Sequence, residues 1–290
     1  MRPYGISSMT VNKWLIFGLL LASMPAPAQA CGPDALGVSR EIAVGGAPQI
    51  GLKTYPRTLS LADHEVVLTF DDGPSPATRK VLDALAAQCA KATFFLIGRN
   101  AQAMPELVRR EIAEGHTVGS HSWSHPSKSL RALDLADGIA EIERGDKAVA
   151  AASGGTASHF FRFPGFGDSP ALLEAAAMRK MPVFGTDLWA SDWNPMTSER
   201  ELNLLMTRLR KAGRGMILLH DIHRQTADMI PSLLRTLHAE GFKLVHLVPG
   251  PDAPELRAAP DGWTSETEAF YRKMFGELAR PTPRPQQSTN

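Results

Sequence analysis

The sequence predicts an α/β fold, a (β/α) barrel of about seven strands in a single domain, on three observations. Short β-rich apolar runs alternate with amphipathic helical segments from residue 66 to residue 247, the pattern of parallel strands whose connections return as helices. Seven such runs occur in one stretch, close to the count of a (β/α)₈-type barrel. The chain has 290 residues, 43% of them hydrophobic, and a formal charge of +1. That is enough apolar side chain for one large core and too little net charge for disorder. A doubly wound open sheet is the alternative architecture. No G-x-G-x-x-G follows the first strand, so no dinucleotide site is signalled.

The elements follow in order. Val66-Val67-Leu68-Thr69-Phe70 reads as a buried strand. Ser75 then caps a helix with Pro76 at its first position, and Val81, Leu82, Leu85 and Cys89 recur on one face. Thr93 to Ile97 is the second strand. Pro105 opens a helix through Glu114, and Gly115 ends it. Thr117-Val118-Gly119 is a weak third strand. A helix over about Leu135 to Ala152 leads to the fourth strand, His159 to Phe163. Ser169-Pro170 starts a helix before the fifth strand, Val183 to Thr186. A helix from about Ser198 to Ala212 precedes the sixth, Met216 to Leu219. The last helix, near Ala227 to Glu240, precedes the seventh, Lys243 to Leu247.

The ends have other roles. Residues 1–30 hold Arg2 and Lys13, no acid, an apolar run from Trp14 to Ala22 and an Ala28-Gln29-Ala30 cleavage signature, the layout of a secretory signal peptide. The apolar run is short for a bilayer span, so cleavage is expected to leave no stable membrane span and a formal charge of −1. The protein is expected to be secreted, periplasmic or in the cell envelope, where Cys31 and Cys89 are expected to pair; lipidation of Cys31 is the alternative. Two Cys in so long a chain rule out a disulfide scaffold, and the near-neutral charge gives no case for nucleic acid. Residues 31–60 are expected to wrap the barrel, 61–250 to form the domain, and 251–290 to be a Pro-rich, partly disordered tail with one amphipathic stretch around Glu266 to Leu278. Nothing in the sequence speaks to oligomeric state.

Polar residues collect where strands end, the place where barrels carry their chemistry. Asp71-Asp72 follows the first strand. Adjacent buried carboxylates repel and lose solvation, a cost that a cation offsets, although Asp-Gly-Pro is also good turn chemistry. His121 and His125 follow the third strand at i and i+4, a metal-ligand spacing on a helical turn. With Asp72 they give two histidines and a carboxylate, the ligand count of a catalytic zinc site with an open position. Arg162, in the apolar fourth run, needs an anionic partner, and Asp71 is a candidate. Gly165 and Gly167 would let backbone approach a ligand. Asp187, Trp189, Asp192 and Trp193 follow the fifth strand, where tryptophans beside acids suit sugar stacking or a small apolar pocket; ordinary loop packing is the plainer account. His220-Asp221 ends the sixth strand, and a histidine there is a natural proton donor or acceptor. His223 lies nearby but off the strand. His64, His116, His159, His238 and His246 carry no spacing signal and read as structural or surface. The decisive feature is five polar clusters at the strand ends of one chain.

Thr69-Phe70-Asp71-Asp72-Gly73-Pro74, His121-Ser122-Trp123-Ser124-His125, Arg162-Phe163-Pro164, Asp192-Trp193 and Leu218-Leu219-His220 resemble, in this order, the five motifs of the polysaccharide deacetylases. That family is the NodB-homology domain of carbohydrate esterase family 4, and the resemblance covers roughly residues 60–250. It implies a distorted (β/α) barrel, a single catalytic domain and metal-dependent removal of N-acetyl, sometimes O-acetyl, groups from a polysaccharide or oligosaccharide such as peptidoglycan or chitooligosaccharide. Asp72, His121 and His125 resemble the metal triad, zinc first, with cobalt or another divalent ion also compatible. Asp71 resembles the general base and Arg162 the residue that holds it. His220 resembles the general acid and Asp192 the acid that orients it. Trp193 and Leu218 resemble the walls of the acetyl-methyl pocket. Two departures stand out. The third motif usually continues Pro-Tyr-Gly, whereas here it reads Pro164-Gly165-Phe166-Gly167; the Gly165 N–H can still serve as an oxyanion contact, while the missing phenol alters the groove. The fourth motif is stretched, so Asp187 and Asp192 are both candidates for the partner of His220; Asp192 is preferred because it precedes Trp193. A glycan-binding protein without turnover and a metal-dependent amidohydrolase or esterase of a small molecule are the rival readings.

Overall fold

The computed structural model describes Met1, Gly32 and residues 34–275, the side chains of residues 274 and 275 excepted. The chain divides into two compact units, Met1–Ala30 and Cys31–Asn290. The predicted signal peptide, Cys31 and the end of the Pro-rich tail lie outside the described residues. No helix among the described residues is long and apolar enough to cross a membrane.

In chain order the elements are β1 (Arg40–Val44), β2 (Gln49–Ile50), β3 (Arg57–Leu59), β4 (Glu65–Asp71), α1 (Thr78–Ala87), β5 (Thr93–Leu96), α2 (Gly98–Ala103), α3 (Pro105–Ala113), β6 (Thr117–Ser120), α4 (Leu135–Ala152), α5 (Pro170–Met178), β7 (Val183–Phe184), β8 (Leu188–Trp189), α6 (Ser198–Ala212), β9 (Gly215–His220), α7 (Arg224–Ala239), β10 (Lys243–Pro249), β11 (Leu256–Ala258) and α8 (Glu266–Phe275). Parallel ladders run β8–β9–β4–β5–β6. Bridges from Ser120 to Phe161 and from Phe161 to Val183 carry the pairing on to β7. Only residues 185–187 separate β7 from β8, so the ladder returns to the stretch from which it started and closes a distorted barrel.

The distortion has two sources. The predicted fourth strand is reduced to the bridge at Phe161. Its backbone bonds both neighbours, through Ser120 N to Phe160 O at 2.8 Å and Phe184 N to Phe161 O at 2.8 Å, but Pro164 ends it at once. Gly119 permits the close pass, because a Cβ there would stand 2.5 Å from the Phe160 carbonyl oxygen. The predicted seventh strand, β10, pairs with β4 only at Glu65 and Val66 and then runs beside β1 from Val245 to Pro249.

Period-two alternation decides which side chains reach the interior. On β4, Val66, Leu68 and Phe70 pack outward with Val81, Leu82 and Leu85 of α1. Val67 faces the inner cluster with Phe95, Phe184 and Met216. Thr69 and Asp71 share that inward phase. On β9, Ile217 and Leu219 join the outer layer and Met216 the inner one, which gives Leu218 and His220 the inward phase. All seven residues of β4 are buried, as expected of a parallel strand covered on both faces.

The helices largely follow their sequence signals. Thr197 caps α6 by accepting from Arg200 N at 3.2 Å, and Gly213 ends it in the left-handed region at φ 73°. Ser169 caps α5. The start of α1 differs: the helix begins at Thr78, not at Pro76. Ser75 is spent on the preceding turn, where its Oγ accepts from Ala77 N at 3.1 Å and donates to the Asp221 carbonyl at 3.2 Å. Thr78 accepts from Ser75 N at 2.8 Å and donates to the Asp221 carboxylate. Cys89 is disulfide-bonded; its expected partner, Cys31, lies outside the described residues. Beyond β10 the chain folds back, with β11 antiparallel to β3.

Glu201 on α6 is buried. Burial, and after it the charge of Asp192, push its carboxyl up to about 7 from the usual 4.5. The folded protein therefore keeps a proton that the unfolded chain gives up at lower pH, and stability falls as pH rises from about 4.5 to about 7. Glu201→Gln should match the parent in thermal unfolding near pH 4.5 and exceed it at pH 8, by about 1–3 kcal/mol. Melting curves at the two pH values check this; a difference that does not grow with pH contradicts it.

Candidate active site

Arg162 is the largest fully buried side chain among the described residues. Its Nη1 donates to Asp71 Oδ1 at 2.6 Å and to Thr69 Oγ1 at 2.9 Å, and its Nη2 donates to the Gly185 carbonyl at 2.8 Å. The guanidinium lies 4.3 Å from the Phe95 ring centroid. Burial lowers its pKa while Asp71 raises it, and an arginine holds its charge through such opposition. Asp71 is thus the anion that the apolar setting of Arg162 requires.

Asp72 takes the other direction. Its φ of 73° is left-handed, and its Oδ1 stands 3.5 Å from Nε2 of both His121 and His125. One donor atom from each of the three lies within 4.8 Å of the others. Asp72 Oδ1 is buried without a hydrogen-bond partner. His121 Nδ1 donates to the Arg162 carbonyl at 2.7 Å, which fixes the tautomer and leaves the Nε2 lone pair free. Burial pushes the His121 pKa down to about 4 despite Asp71 and Asp72, so its ring is neutral. Burial opposes an ionised Asp72, but the charge of nearby His220 holds its carboxyl below the usual value. An orphaned carboxylate oxygen beside two imidazole nitrogens fits a divalent cation such as zinc.

The histidines converge without the predicted helical turn. Ser122 and His125 adopt left-handed φ of 66° and 51°, and these two sharp bends bring the His125 ring to 5.2 Å from that of His121. Helix α4 pins the bend: the Glu141 carboxylate accepts from Ser124 N at 2.8 Å and Ser124 Oγ at 2.9 Å. Gly145 admits the loop, since a Cβ there would meet Ser122 C at 2.4 Å. Strained backbone at Asp72, Ser122 and His125 is held by this surrounding structure.

Across the site stands His220. The β4–β9 register pairs it directly with Asp71. Its Nδ1 lies 2.9 Å from Asp192 Oδ1, and its backbone N–H donates to Asp192 Oδ2 at 2.6 Å. Burial disfavours its charge, but Asp192, then Asp72 and Asp71, drive its pKa up to about 10. Asp187 does not reach His220. It accepts from Leu52 N at 2.8 Å, Thr58 Oγ1 at 2.9 Å and Met216 N at 2.9 Å, a structural tie between the N-terminal segment and β9.

These groups surround a cavity of about 240 Å³ lined by Asp71, Asp72, His121, His125, Phe163, Gly165, Phe166, Trp189, Trp193, Leu218, His220 and Phe270. Gly165 sits at φ 56° in the turn Pro164–Phe166. Every predicted metal, catalytic and pocket residue is brought to this place, with Arg162 and Asp192 behind the lining. Two residues escaped the sequence reading. Phe270, on α8, gave no signal beyond the amphipathic pattern from Glu266. Asp221 was read only as a neighbour of His220; it is buried beside Gly73 and Thr78, and burial pushes its carboxyl up to about 7.

The polysaccharide deacetylase family model matches residues 59–183. The chain is 33% identical over 205 residues to a peptidoglycan-N-acetylglucosamine deacetylase of Bacillus cereus, covering 66% of this chain and 72% of that one. It is 35% identical over 182 residues to the peptidoglycan-N-acetylmuramic acid deacetylase PdaC of Bacillus subtilis, covering 62% of this chain but spanning only 37% of PdaC. The solved structure of the Bdellovibrio bacteriovorus peptidoglycan deacetylase Bd3279 superposes with a TM-score of 0.61 at 32% identity, over 72% of this chain and 60% of that one. With its motifs gathered at one end of the barrel and a relative matched over most of its length, the chain belongs to the polysaccharide deacetylase family.

Proposed function

We propose that this protein is a metal-dependent deacetylase that acts outside the cytoplasm and hydrolyses N-acetyl groups of a glycan such as peptidoglycan or chitooligosaccharide. The observation that carries the reading is the register pair Asp71 and His220. It sets an Arg162-bound carboxylate and an Asp192-bound histidine on either side of one cavity that also holds the Asp72, His121 and His125 donors. A protein that only bound glycan would need neither the base nor the acid.

A divalent cation held by Asp72, His121 and His125 supplies Lewis-acid polarisation of the acetyl carbonyl and a more acidic water. Arg162 occupies Asp71 Oδ1 and leaves Oδ2, 3.8 Å from His121 Nε2, turned toward the metal donors. That oxygen accepts the proton of the attacking water. The Gly165 N–H stabilises the oxyanion of the tetrahedral intermediate. Leu218 and Trp193 enclose the acetyl methyl. His220, kept charged by Asp192, gives its proton to the departing amine nitrogen, and acetate and the free amino sugar leave. The predicted leader and the disulfide-bonded Cys89 support an oxidising compartment.

Acetate assays on N-acetylglucosamine oligomers and on peptidoglycan test the reading. The protein should release acetate from at least one, lose that activity to a chelator and regain it with zinc; no release from either contradicts the reading. Asp71→Asn should lower kcat by about 10²–10⁴-fold; retained turnover would remove Asp71 as the base.

The two acids of the stretched fourth motif should separate in the same assay. Asp192→Asn should lower kcat about 10²-fold or more, as expected when a catalytic histidine loses its orienting carboxylate. Asp187→Ala should chiefly lower unfolding stability, by about 1–3 kcal/mol for the donors it strands. The reverse pattern would exchange their roles.

A further inference from the structure

We propose that helix α8 is a fixed wall of the glycan site and that Phe270 stacks on the sugar ring next to the acetylated one, which makes it a specificity-determining residue. The proposal rests on the deacetylase reading of the same cavity.

Phe270 is 41% exposed and Trp193 is 39% exposed, yet both line the cavity that holds the metal donors and His220. Exposed aromatic rings that share one cavity with charged groups mark a binding surface. The helix that carries Phe270 is anchored through its neighbours in sequence. Tyr271 is buried, its hydroxyl accepts from Ser129 Oγ at 3.1 Å, and the Arg131 guanidinium lies 4.3 Å from its ring centroid. Arg131 pairs with Glu268 at 2.7 Å. Thr267 N donates to the Lys53 carbonyl at 3.0 Å, and Glu266 pairs with the Lys53 ammonium.

That ammonium sits 4.4 Å from the Trp189 ring centroid. Trp189 meets Trp193 edge-on at 5.7 Å, and Trp193 meets His220 edge-on at 6.0 Å. An unbroken set of contacts therefore joins α8 to the proposed general acid. The cavity, at about 240 Å³, is smaller than the roughly 300–1,000 Å³ of pockets that enclose a drug-sized ligand. It accepts the acetamide end of one sugar and leaves the next ring at the mouth. A pyranose presents an apolar C–H face there, and an exposed aromatic ring is the surface that matches it.

The test compares Phe270→Ala and Phe270→Trp with the parent protein, each as the full chain. Calorimetry measures the Kd for the N-acetylglucosamine tetramer, and kinetics measure kcat/KM on the tetramer and on 4-nitrophenyl acetate, which has no second ring. Phe270→Ala should weaken tetramer binding about tenfold and lower kcat/KM for the tetramer about tenfold more than for the ester, as for loss of one aromatic contact. Phe270→Trp should restore most of both. An unchanged tetramer Kd, or an equal loss on both substrates, overturns the proposal. If the parent binds tetramer, Phe270→Ala weakens it and no acetate is released, the stacking role stands and the deacetylase reading fails.

Discussion

A guanidinium sealed inside a barrel is costly unless every charge and donor around it is matched. Arg162 matches its charge with Asp71 and its two terminal nitrogens with Asp71, Thr69 and the Gly185 carbonyl, leaving only Nε without a partner, and the rest of the site is arranged around the match. The side chain occupies one oxygen of Asp71 and leaves the other facing the histidines. The carbonyl of the same residue holds His121 in the tautomer that a metal ligand needs. One residue thus sets the proposed base and one proposed metal donor together. Asp72, one position on, receives no such partner, and its Oδ1 stays buried without a hydrogen bond, beside the two histidines that we propose share a cation with it.

The barrel makes this arrangement reproducible. Strand alternation points Thr69 and Asp71 of β4, and Leu218 and His220 of β9, to the same side, while their neighbours pack against α1, α6 and α7. The parallel register sets Asp71 against His220. The distance between proposed base and acid is therefore a property of the sheet and not of a flexible loop. The loops contribute what strands cannot: left-handed turns at Asp72 and His125 bring two proposed ligands to one point, and α4 holds the bend through Glu141.

Much of this was legible in the sequence where the signal is local. Helices α4 and α6 fall at the spans expected from the sequence, because an apolar stripe is set by nearby residues. The polar strand ends were legible because a charge in an apolar run demands an explanation, and Arg162 and Asp71 explain each other. What escaped depends on tertiary contact. The i, i+4 histidines converge through two left-handed residues that no spacing rule reveals. The fourth strand shrinks to a bridge because Phe160 and Phe161 are shared between β6 and β7. Ser75, a sound cap by sequence, is drawn into a turn by Asp221, 146 residues away. Helix α8 reaches the cavity through pairings such as Lys53 with Glu266, separated by 213 residues, which leave no trace in local composition.

The central claim is that Arg162 divides the adjacent carboxylates into one base and one metal ligand. Zinc titration calorimetry on the parent, Asp71→Asn and Asp72→Asn proteins tests it most directly. The account predicts one zinc per chain for the parent and for Asp71→Asn, and loss of tight binding for Asp72→Asn. Tight binding that survives in Asp72→Asn and disappears in Asp71→Asn would contradict it.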